Sequence, residues 1–168
     1  MEMPEQGPAS EPARGSAAKS AEKLAAELQR LRDEVLWQNH RAGSEVKDAV
    51  QVLATELERT ADTLKACAPA LDALRESAAV KAHLALLEAT DKLALLEDLV
   101  RSALSGAARS PTFIGETARL KLALGRLEAT DLFEDKRRAL MEQRRRLAQS
   151  TDATLEELDE RLADILGK

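Results

Sequence analysis

The sequence predicts an all-α protein, an elongated antiparallel helical bundle or coiled-coil hairpin that carries a disordered N-terminal tail. Three observations predict it. Charged residues make up 33% of the 168 residues, and only 2% are aromatic, with no Tyr and with Trp37, Phe113 and Phe133 as the full aromatic set. So few rings make a many-sided core hard to build. Apolar residues recur at alternating spacings of four and three, which is the period of a helical seam. No segment alternates polar and apolar residues as a half-buried strand would.

Met1 to Ser16 holds Pro4, Pro8, Pro12, Gly7 and Gly15 and almost nothing apolar and large. Such a segment cannot bury enough surface to offset its ordering entropy, so residues 1–16 are expected to be a disordered tail and residues 17–168 a single helical coiled-coil domain. A first helix from about Ala17 carries Leu24, Leu28, Leu31 and Val35 on one stripe. The stripe lapses in "LWQNHRAGSEV", where Gly43 and Ser44 read as a helix end and an N-cap; a hendecad inside one continuous helix is the alternative. A second seam follows through Val46, Val50, Leu53, Leu57, Thr60, Leu64, Cys67, Leu71 and Leu74. Pro69 interrupts it and predicts a kink or a restart.

The most apolar stretch, "LALLEATDKLALLEDLVRSAL" from Leu84 to Leu104, spreads its leucines over more than one stripe, as expected of a helix with neighbours on two sides. "SGAARSPTFIGE" then reads as a turn: Gly106 as C-cap, Ser110 as N-cap, Pro111 at the first helical position, with antiparallel flanking helices. Phe113, Thr117, Leu120, Leu124 and Leu127 form the next stripe, continued by Leu140 and Leu147. Thr154 and Glu157 stand in capping-box register and suggest a restart before Leu155, Leu158, Leu162 and Ile165.

The pentapeptide "LEATD" occurs at Leu87–Asp91 and at Leu127–Asp131. Its flanks differ, "KLALLEDLV" against "LFEDKRRAL", so it reads as chance similarity rather than a repeat. The acids Glu88, Asp91, Glu128 and Asp131 read as solvated helix faces, because a di-iron bundle also needs Glu-x-x-His pairs that neither His40 nor His83 supplies. Cys67 reads as a buried small hydrophobe. No phosphate loop, nucleophile set or cofactor fingerprint is present, so no enzyme, cofactor, metal or small-molecule substrate is expected.

A net charge of −5 argues mildly against a dedicated nucleic-acid binder. A local basic face is nevertheless expected from Lys136, Arg137, Arg138, Arg144, Arg145 and Arg146, read as solvated and partner-facing. The N-terminus resembles neither a signal nor a transit peptide, the one cysteine fits a reducing compartment, and no membrane-spanning run is visible; the expected address is cytoplasmic or nuclear. Trp37, at the end of the first seam, either packs across a helix hairpin or anchors a partner.

The order of these features resembles the dynactin small shoulder subunit family. The likeness rests on "LRDEVLWQNHRAGSEVKDAV", the central "HLALLEATDKLALLEDLV" and the return "ARLKLALGRLEATDLFEDKRRALMEQ". It implies a three-helix, non-enzymatic subunit wound with partner coiled coils, dynamitin among them, in a cytoskeletal dynein-activating complex. "LWQNHRAGSE" also resembles the Asn-x-Arg stretch of GrpE-type co-chaperones, which exchange nucleotide on Hsp70; that family ends in a small β domain, and nothing after Gly115 reads as strands. The expected function is therefore assembly with other coiled-coil proteins, as a hetero-oligomer ahead of a homo-oligomer. The seam Leu24, Leu28, Leu31, Val35, Trp37, Val46, Val50, Leu53, Leu57 and Leu64 would pack against the partner. A GrpE-like exchange factor or a basic-face adaptor for membrane or nucleic acid are the alternatives.

Overall fold

The computed structural model describes residues 16–72, 76–129 and 147–167. These form α1 (Ser16–Gln38), α2 (Ser44–Leu71), α3 (Glu76–Leu104), a short 3-10 turn (Ala107–Arg109), α4 (Pro111–Ala129) and α5 (Leu147–Leu166). There is no strand among the described residues. None of their helices is long and apolar enough to cross a membrane. The expected tail, apart from Ser16, and the basic face lie outside the described residues.

Side-chain pairs reveal the helix directions. The Ala18 N–H donates to Asp72 Oδ2 at 3.0 Å, and Arg32 Nη1 donates to Glu58 Oε1 at 2.8 Å. Moving forward along α1 thus moves back along α2 by the same number of residues, so the two are antiparallel. Asp72 also places a carboxylate at the positive end of α1. Asn39 reaches Ala103, so α1 and α3 end at the same level. His83 meets Thr151 and Glu97 meets Arg161, so α5 runs parallel to α3. α4 returns antiparallel along α3 and also packs on α2, while α5 packs on α3 and α1. The result is an up-down-up bundle of α1, α2 and α3 with two further helices laid over its grooves.

The core that joins them is aliphatic. Leu24, Leu28, Leu31 and Val35 of α1 meet Val50, Leu53, Leu57 and Leu64 of α2 and Leu86, Leu93, Leu96 and Val100 of α3 in one buried cluster. Alanines fill the spaces between the leucines: Ala21, Ala25, Ala61, Ala68, Ala89 and Ala103 are fully enclosed. Small side chains let helix axes approach closely, so a core whose one buried Phe among the described residues is Phe113 still closes. As expected, α3 is buried on more than one side.

The turn after α3 follows its sequence signals closely. Gly106 takes the left-handed conformation at φ 81°, Ser110 Oγ accepts the Phe113 N–H at 3.3 Å, and Pro111 opens α4. Two other expectations are corrected. Pro69 does not restart a helix: α2 passes through Pro69 and ends at Leu71, with both Pro69 and Lys65 exposed, so water can take the carbonyl that loses its donor. Thr154 does not cap a new helix either, because α5 is unbroken from Leu147 to Leu166. Thr154 lies on the buried face beside Leu155 and Leu158, and Glu157 turns outward to Arg161 at 3.0 Å.

Candidate partner-docking surface at the Trp37 end

α1 ends where its seam meets a polar residue. The His40 N–H donates to the Trp37 carbonyl at 3.2 Å and the Ala42 N–H to the Asn39 carbonyl at 3.1 Å, closing a turn that reverses the chain. Gly43 follows in extended backbone, φ −64° and ψ 165°, and its carbonyl accepts the first bond of α2 from the Lys47 N–H at 2.9 Å. Ser44 is thus the first helical residue and Gly43 the cap, one position earlier than the sequence suggested. The continuous-helix alternative is excluded by the reversal.

Asn39 falls four residues after Val35, on the seam itself, and points inward with 5% exposure. Its Nδ2 donates to Val35 O at 2.9 Å and to Ala103 O at 3.1 Å. One amide therefore closes the last turns of two helices, whose final carbonyls lack intrahelical donors. Nothing in the apolar pattern called attention to Asn39; a polar residue in seam register was the available signal.

Two residues earlier the chain does the opposite. Trp37 is 66% exposed, and its ring stacks on His40 with centroids 4.8 Å apart and planes 14° from parallel. A ring nitrogen of His40 lies 2.6 Å from the Trp37 carbonyl, which holds the imidazole against the indole. Around this pair the α1 surface is charged, and some of its groups are paired with one another. Arg32 is held by Asp33 and Glu58, and the Asp33 hydrogen bond is the main reason its guanidinium is held above its ordinary pKa. Gln38 donates to Glu34 at 2.7 Å. The stack is thus an aromatic plate on an otherwise solvated face.

The other sequence-singled residues fall elsewhere. Of the residues expected to pack against a partner, from Leu24 to Leu64, all but Val46 and Trp37 are buried and face the chain's own helices; Val46 is half-buried against the same core. Cys67 is buried, its Sγ 3.3 Å from the Leu64 carbonyl, and burial pushes its thiol up to about 11. His83 is also buried, with Nδ1 3.0 Å from Thr151 Oγ1, and desolvation lowers its pKa. Glu88 of the first "LEATD" copy pairs with Lys92 at 2.8 Å. Of the second copy, Asp131 lies outside the described residues. Among the described residues no group of three or more His, Cys, Asp or Glu is placed to hold a metal.

Shallow grooves flank the added helices. One between α2 and α4, about 370 Å³, contains Glu56, whose Oε1 takes Arg59 at 2.9 Å; its Oε2 is buried with no hydrogen-bond partner among the described residues. The periodicity of α2 gave no warning of Glu56, because it sits one position before the seam residue Leu57. No protein-family profile, curated protein or solved structure matches the chain.

Proposed function

We propose that this chain is a non-enzymatic helical assembly subunit that docks on partner proteins through the Trp37–His40 plate at the end of its bundle. The observation that carries the reading is the contrast between Trp37, exposed and stacked on His40 at a helix end, and the enclosed seam leucines of its own helix. The seam leucines of α1 and α2 are enclosed by their own chain, whereas the one tryptophan stands two-thirds in water at a helix end. Trp is among the side chains most enriched where binding energy concentrates. In this reading the seams build a rigid platform. The charged faces of α1 select the partner and its register by opposing wrong charges.

The partners expected are other helical, coiled-coil proteins in a hetero-oligomer, in the cytoplasm. The specific version is a dynactin-like, cytoskeletal complex, and it rests on the sequence resemblance alone. The test is affinity capture of the tagged chain from its native cells, with Trp37→Ala as a parallel bait. Recovery of dynactin subunits by the wild type, lost with Trp37→Ala, supports the whole reading. Recovery of an Hsp70-type ATPase instead would replace it with the exchange-factor reading. A monodisperse monomer that recovers the same proteins as the variant bait overturns it.

A further inference from the structure

Helix α5 is fastened to the bundle in two different ways along its length. Its C-terminal half is clamped: Leu158, Leu162 and Ile165 are buried, and Arg161 bridges Glu97 of α3 at 3.2 Å and Glu157 of its own helix at 3.0 Å. Among the described residues of the N-terminal half, the buried ones are Thr151, Thr154 and Leu155, two of the three polar. On its α1 flank lies a cavity of about 240 Å³ between Ala17, Ser20 and Leu24 of α1 and Asp152, Leu155 and Glu156 of α5. On its α3 flank the contact is polar, the buried His83 ring against Thr151. His83 and Glu97 lie two heptads apart on one face of α3, so α5 rides on a stripe that is polar at both ends.

We infer that the N-terminal half of α5 is a pH-gated strap, docked on α1 and α3 while His83 is neutral and released when His83 takes up a proton. The imidazole is 1% exposed, so a charge placed there is cut off from water. Burial accordingly holds its pKa below the ordinary 6.5. The sign follows: the undocked state binds the proton more readily, so docking is at full strength above pH 6.5 and weakens as pH falls toward the lowered value. The charged groups of the packed elements do not oppose this. On α1, Lys23 lies 4.0 Å from Asp159 and 3.9 Å from Glu27. Asp152 and Glu156 of α5 are exposed, Glu88 of α3 is engaged by Lys92, and Lys81 of α3 and Lys65 of α2 are exposed. Asp72, at the end of α2, accepts the Ala18 N–H. Release would expose Leu24 of α1 and the buried face of α5 at Leu155.

The magnitude follows from the linkage. If the docked form excludes the proton and the released form titrates at 6.5, lowering pH from 7.5 to 5.5 raises the opening equilibrium about tenfold. Hydrogen exchange on the full chain, corrected for intrinsic rates, reads this directly. Protection of residues 151–157 is expected to fall about tenfold, with α2 and residues 158–166 unchanged, and the fall is expected to vanish in His83→Asn. A change below twofold in the wild type, or the same tenfold change in the variant, overturns the inference. The chain has only two histidines. A proton NMR titration of the wild type therefore gives an independent check whether or not the variant folds. A His83 midpoint below the ordinary 6.5 supports the strap, and a midpoint at or above it refutes it.

Discussion

Replacing Asn39 by Ala removes two buried hydrogen bonds in a single step. Asn39 Nδ2 holds Val35 O at 2.9 Å and Ala103 O at 3.1 Å, with 5% of the residue exposed. Each such bond contributes about 1 kcal/mol net, and a buried carbonyl left without its donor adds to the loss, so the substitution should cost about 2 kcal/mol. In a chain of this length that lowers Tm by roughly 4–8 °C. Urea unfolding followed by circular dichroism should show a lower midpoint with an unchanged slope, because the surface exposed on unfolding is the same. Gln38→Ala, one residue away on the exposed face, removes only the bond to Glu34 and should cost under about 0.5 kcal/mol. If Asn39→Ala costs no more than Gln38→Ala, the amide does not join α1 to α3 and the packing at this end of the bundle is wrong.

Trp37→Ala should leave stability within about 0.5 kcal/mol of the wild type by urea unfolding, because the ring makes no core contact. Leu57→Ala, at a fully enclosed position, should cost about 3–5 kcal/mol in the same assay. Gly106→Ala should cost about 1–2 kcal/mol: a Cβ there meets nothing within 4 Å, so the penalty is the left-handed backbone alone. The Cys67 thiol, pushed up to about 11 from 9.0, should carry roughly a hundredfold less thiolate than a free cysteine. Its labelling by Ellman's reagent in the native state should therefore lag that in urea by at least that factor.

What the sequence made legible was whatever depends on local chemistry. The turn after α3 needed only Gly106, Ser110 and Pro111, each with one strong conformational preference, and all three act as expected. The seams of α1 and α2 were legible because their period is long and regular. Where those seams point was not, because a four-three spacing describes a face without naming its neighbour. Leu24 to Val35 suit a partner's helix as well as α2 and α3, and only the tertiary arrangement encloses them within the chain. Thr154 misled for a related reason: capping-box spacing also arises when a buried Thr sits one turn before a surface Glu. Asn39, His83 and Glu56 were hidden for the opposite reason. Each is polar within or beside an apolar pattern, and the roles of Asn39 and His83 depend on residues as distant as Ala103 and Thr151.

Trp37 is the only tryptophan in the chain, so its fluorescence reports on the proposed docking plate and on nothing else. The isolated protein should give the long-wavelength emission of a hydrated indole, freely quenched by acrylamide. On addition of a partner recovered by capture, the emission should shift to shorter wavelength and the quenching should fall. Short-wavelength, protected emission in the isolated chain, or an emission unchanged in the assembled complex, would contradict the account.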